Sequence, residues 1–209
     1  LSSPIEAGPS YVYSPLAEYE KRNRELKKVR RYLKQRSQKT WFEIQLQQVF
    51  DEFLEQALTV TTEWEEYERL HMIQEGPVKV NYCHGDYQYH NLVRTNRGWF
   101  VMNFEKCIPD NPVRDLYLFM RKLLEKSNWS IDLGKDLLNA YEEKRSLSMV
   151  SRIDLYYRLA YPEKFRKIAN FYFNSGKAWI PGRNLEKLEK LVEQEPLKQK
   201  FLEEVFRKI

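Results

Sequence analysis

Between His84 and Asp115 the chain carries a block whose spacing few folds can accommodate: His84-Gly85-Asp86, Asn91, Asn103-Phe104-Glu105, Pro112 and Asp115-Leu116. Val78-Lys79-Val80-Asn81-Tyr82-Cys83 alternates and opens β-branched, which predicts a short strand running into the first triplet. Leu92-Val93-Arg94 and Trp99-Phe100-Val101-Met102 flank Thr95-Asn96-Arg97-Gly98, a hairpin pattern with glycine at the turn. Pro112 then begins a helix, because its missing N–H is not needed in a first turn. Leu116, Phe119, Met120, Leu123 and Leu124 follow with the spacing of a buried helical face. The order is strand, loop, hairpin, loop, helix.

Asp86 and Asn91 have the separation found in the kinase catalytic loop, where the Asp takes the proton of the acceptor hydroxyl and the Asn holds a magnesium ion. Phosphoryl transfer asks a protein mainly for positioning and charge neutralisation. A carboxylate sits beside the hydroxyl, and oxygen ligands, usually including one or two carboxylates, hold Mg²⁺ against the phosphates. Asp86 is the candidate base and Asn91 a neutral oxygen ligand. Asn103 stands twelve positions after Asn91, where a kinase places the Asp of Asp-Phe-Gly. One central carboxylate is missing, and that weakens the electrostatic stabilisation on which catalysis most depends.

These residues resemble the C-terminal lobe of the aminoglycoside/choline kinase-like superfamily, whose pattern is His-Gly-Asp, four residues, Asn, a hairpin, Asp-Phe-(Asp/Glu) and Pro-x-x-Asp-Leu. Within it the chain is most similar to the CotS-like spore coat family, whose members often carry Asn at the Asp-Phe-Glu position. Asn128-Trp129, Tyr161-Pro162-Glu163-Lys164-Phe165 and the run from Phe171 to Trp179 extend the resemblance over most of the chain after Trp41, although only the His84–Asp115 block is specific. The resemblance implies Asp86 as catalytic base, with His84 grouped beside it and bracing the loop. It implies Asn91, a weakened Asn103 and a substitute carboxylate at Glu105 as metal ligands, and Asp115 as a helix residue that hydrogen-bonds catalytic-loop backbone. Mg²⁺ and ATP are the implied cofactors, and neither is expected to bind tightly to the chain as given. Coat proteins or a small hydroxyl-bearing acceptor are the implied partners.

Departures from the family pattern are equally informative. The chain has 7 glycines, none clustered into a phosphate-cradling loop, and no Val-Ala-x-Lys strand precedes the catalytic loop. The chain is therefore expected to be a fragment without the nucleotide-clamping N-terminal lobe, and not to turn over ATP. Two functions follow: a pseudokinase-like structural component of the spore coat, or a phosphotransferase moving the ATP γ-phosphate to a hydroxyl.

With 209 residues, 42% of them hydrophobic, the chain can bury one sizeable core. Its net charge of +5 comes from Lys and Arg interleaved with Glu, densest from Arg22 to Arg36, the pattern of solvated helix faces. No nucleic-acid-binding signature is present, and no apolar run approaches the roughly 18 residues of a membrane span. Cys83 and Cys107 are the only cysteines, which fits a reducing compartment and so cytoplasmic synthesis, with spore coat deposition implied by the resemblance.

Residues 1–15, rich in Ser, Pro and Gly, read as a linker, and 16–209 as one kinase-like helical lobe. Helices are expected over Leu16 to about Gln35 and Trp41 to Leu58. Thr62 is expected to cap a third that Gly76-Pro77 stops. Asp132 and Ser151 are expected to cap later helices, Gly176 to stop one, Asn184 to cap Leu185–Gln194, and Pro196 to start the last. The predicted fold is mainly α with a small β-hairpin (α+β), a protein kinase-like C-terminal lobe with the N-terminal lobe absent.

Overall fold

The computed structural model describes residues 14–74, 80–174 and 181–207. The Gly76-Pro77 stop, Val78 and Lys79 of the Val78–Cys83 strand, Gly176, Lys177 and Trp179 lie outside them, as does nearly all of the linker. Helix α1 spans Leu16–Gln35 and α2 Trp41–Gln74. Strands β1 (Asn81–Cys83), β2 (Leu92–Thr95), β3 (Gly98–Val101) and β4 (Ile108–Asp110) follow. Helices α3 (Val113–Leu124), α4 (Ile131–Glu142), α5 (Met149–Ala160), α6 (Glu163–Asn174) and α7 (Pro181–Phe206) complete the order. The mainly α expectation with a small β element holds.

The chain groups into two units. One takes in His71–Leu159 and the chain from Lys200, the other Pro15–Leu70 with Ala160–Gln199. In the second unit Leu26, Val29 and Leu33 of α1 are buried, and Phe42, Leu46, Phe50 and Phe53 of α2 supply a matching face. Tyr19 meets Trp64 and Tyr161 edge-on, with ring centroids 5.0 and 4.7 Å away. Phe53 stacks on Phe165 at 4.6 Å. Thr40 and Glu43 form a reciprocal capping box at the start of α2, Thr40 N–H to Glu43 Oε2 at 2.6 Å and Glu43 N–H to Thr40 Oγ1 at 3.3 Å.

Thr62 does not cap a new helix, because α2 runs unbroken. Its neighbour Thr61 donates its hydroxyl back to Ala57 O at 2.7 Å and accepts from Asn23 Nδ2 of α1 at 2.8 Å, so its hydroxyl is satisfied without breaking the helix. Pro196 likewise lies inside α7, and Asn184 is an interior, buried residue of that helix. Gln56 Nε2 donates to Glu195 at 2.8 Å and Lys198 Nζ to Ala160 O at 2.8 Å, anchoring the helix on both sides of the proline. Val192, whose carbonyl Pro196 leaves without an N–H, is 40% exposed, so water can satisfy it.

In the first unit β2 and β3 pair antiparallel from Leu92↔Val101 to Thr95↔Gly98, the expected hairpin. Unforeseen is β4, which pairs antiparallel with β1, Asn81↔Asp110 through Cys83↔Ile108. That pairing carries the chain back beneath the His84 loop before Pro112 opens α3. Val113, Leu116, Met120 and Leu124 of α3 are buried. Ser130, not Asp132, caps α4, its hydroxyl accepting from Leu133 N–H at 3.3 Å. Ser148, not Ser151, accepts from the Ser151 N–H at 3.2 Å at the start of α5.

Candidate functional site

The loop after β1 is shaped from beneath by α3. Asp115, in the first turn of that helix, accepts from His84 N–H at 2.7 Å and Gly85 N–H at 2.9 Å, one on each carboxylate oxygen. Burial pushes its carboxyl above the usual range, further than the two amide donors pull it down. Gly85 adopts φ +75°, and a Cβ there would come within 2.0 Å of the Lys106 carbonyl oxygen. Only glycine fits.

His84 is buried and braces the loop with both ring nitrogens. Nδ1 accepts from Asp86 N–H at 3.1 Å, which assigns the proton to Nε2, donating to Met102 O at 2.8 Å. Its ring lies 4.6 Å from that of Phe104. His84 thus ties the Asp86 loop to the end of the hairpin. Tyr87 packs behind, 6.0 Å from His84 and 5.8 Å from Phe119.

Asp86, Asn91 and Asn103 are brought together. Asn91 Nδ2 donates to Asp86 O at 2.8 Å, and Asn103 Nδ2 donates to Asn91 Oδ1 at 2.9 Å. Asn103 takes the left-handed conformation at φ 66°, which Asn tolerates better than most residues. Glu105 is exposed and joins none of these contacts among the described residues. Two residues without a sequence signal complete the network. Lys106 Nζ pairs with Asp86 Oδ2 at 2.7 Å, and Gln88 Nε2 donates to Oδ1. The Lys106 ammonium, with help from Gln88, holds the Asp86 carboxyl below the usual range against the opposing effect of burial.

The donor set fits Mg²⁺ poorly. Its one carboxylate has both oxygens engaged, and the Asn91 carbonyl oxygen already accepts from Asn103. Among the described residues no group of three or more His, Cys, Asp or Glu side chains is placed to hold a metal ion. A separate cavity of about 540 Å³ lies behind the loop, walled by Cys83, Tyr87, Asp115, Phe119 and Tyr141. Cys83 and Cys107 are both free.

A His-Gly-Asp loop braced by a helix carboxylate and followed by a hairpin is the arrangement of a kinase-like phosphotransferase lobe. The crystal structure of an aminoglycoside phosphotransferase from Alicyclobacillus acidocaldarius subsp. acidocaldarius DSM 446 has the same fold, with a TM-score of 0.79 at 19% identity, over 93% of this chain and 58% of that one. The present chain thus spans less than two thirds of that protein's length. Residues 16–205 match the family described as "Spore coat putative kinase YutH", and the chain belongs to that family of kinase-like spore coat proteins. The comparison with curated proteins finds no match. No helix among the described residues is long and apolar enough to cross a membrane.

Proposed function

We propose that this chain is a pseudokinase-like structural component of the spore coat, in which the kinase-like lobe serves as a scaffold and does not transfer phosphate. The carrying observation is the Asn103 side chain. Where phosphotransfer needs a metal-binding carboxylate, this residue offers an amide donor to Asn91 Oδ1 and closes the pair on itself. The family match supports a coat association. Trp99, Phe100, Met102 and Phe104 are exposed apolar side chains on and just after the hairpin, available for contact with other coat components.

The competing reading is transfer of the ATP γ-phosphate to a hydroxyl with Asp86 as base. Thermal shift of the full-length protein with Mg-ATP, read together with phosphate transfer, separates the two. The scaffold reading expects no rise in melting temperature and no transfer. A rise that Asp86→Asn abolishes, accompanied by turnover, would overturn it.

A further inference from the structure

The pattern that defines this lobe assigns nothing to Lys106, yet its backbone and its side chain are both fixed in the site. Asn103 at φ 66° turns the chain, and Cys107 N–H closes the following turn on Phe104 O at 2.9 Å. Gly85 lacks the Cβ that would strike the Lys106 carbonyl at 2.0 Å, so the residue is seated directly against the His84-Gly85-Asp86 loop. From that seat its ammonium reaches Asp86 Oδ2 at 2.7 Å. Gln88 takes the other oxygen, and Asn103 takes the Asn91 oxygen. Both carboxylate oxygens of Asp86 and the side-chain oxygen of Asn91 thus accept an N–H from the chain itself.

The geometry points to Lys106 as a built-in counter-ion for Asp86, a positioning residue that keeps this loop in shape and closes it to divalent metal. The inference rests on the scaffold reading above and states how that reading is enforced. The Lys106 side chain is 66% exposed and that of Asp86 24% exposed, so the attraction alone is modest. Exclusion comes from combining a like charge beside the Asp86 carboxylate with the absence of a second carboxylate at position 103. A cation entering the site would meet repulsion from the ammonium and have too few anionic ligands to offset its dehydration.

Mn²⁺ titrations of the full chain followed by electron paramagnetic resonance test this. The unaltered chain should show no site that depends on Asp86. Asn103→Asp combined with Lys106→Met should bind Mn²⁺ roughly tenfold or more tighter than Asn103→Asp alone, as expected for removing one like charge at contact range. Asn103→Asp combined with Lys106→Arg should match Asn103→Asp alone, because the charge is kept. A purely structural lysine would not produce that ordering, and circular dichroism confirms that each variant is folded. Equal affinities with and without Lys106→Met would overturn the inference, as would an Mn²⁺ site in the unaltered chain that Asp86→Asn removes. Phosphate transfer from Mg-ATP by the full-length protein would instead overturn the scaffold reading, so the two failures are distinguishable.

Discussion

Gly85 concentrates the site's geometric demands in one position. Its φ of +75° is costly for any L side chain, and the Lys106 carbonyl occupies the space a Cβ would need. Gly85→Ala should therefore cost about 2 kcal/mol or more, seen as a lower urea midpoint. An unchanged midpoint would mean that the Lys106 turn relaxes freely. The cysteines give a second residue-level test. Burial, reinforced by the nearby Asp115 and Asp110 charges, pushes the Cys83 thiol up to about 12, while Cys107 is exposed. A thiol reagent at pH 8 should modify one cysteine per native chain and two after denaturation. Prompt reaction of Cys83 in the native protein would contradict its placement under Asp110 and Asn111, whose carbonyls lie 3.6 and 3.4 Å from its sulfur.

Helix α7 shows how tertiary anchors override local signals. A proline in a helix interior costs about 3 kcal/mol, yet Pro196 is carried because Gln56 and Ala160 hold the helix on either side. Pro196→Ala should thus stabilise the chain by about 1–3 kcal/mol in urea denaturation. Loss of stability would show that the proline itself is required at this position. The same physics explains what could be read in the sequence. The α1 and α2 faces, the hairpin and the Pro112 start were legible because periodicity and turn chemistry are local. The continuity of α2 through Thr62 and of α7 through Pro196 was not, since it depends on partners far along the chain. Strand β4 escaped because Ile108-Pro109-Asp110 is short and proline-bearing, and becomes a strand only by pairing with β1. The Thr40–Glu43 capping box was spelled out in the sequence and could have been found. Motif spacing located Asp86, Asn91, Asn103 and Asp115, but an exposed lysine carries no sequence mark that it will reach Asp86.

Across the whole molecule, acid should act differently on the two contact units. In the unit of Pro15–Leu70 and Ala160–Gln199, Glu163 is buried and accepts both Arg166 Nε and Nη2 at 2.8 Å, with Arg22 Nη1 at 3.3 Å. Burial alone would raise its carboxyl, but the Arg166 hydrogen bonds and the Arg22 and Arg166 charges bring it down to about 2. A carboxyl depressed in the folded state contributes stability above its unfolded pKa of roughly 4.3 and loses it as the pH falls toward the folded value. In the other unit Asp115 is raised, so its contribution is full at low pH and declines as the pH rises through its folded pKa. Between about pH 4.5 and 2, then, the Glu163 unit weakens, while in the other unit Asp115 keeps its full contribution and the depressed Asp86, paired with the exposed Lys106, gives up little. Acid incubation followed by a deuterium pulse at one fixed pH should show α1 and α6 losing protection before α3. Glu163→Gln should lower stability by about 3 kcal/mol at neutral pH and flatten the acid dependence of that unit. Simultaneous loss in both units, or an acid midpoint unchanged by Glu163→Gln, would show that this cluster does not set the acid response.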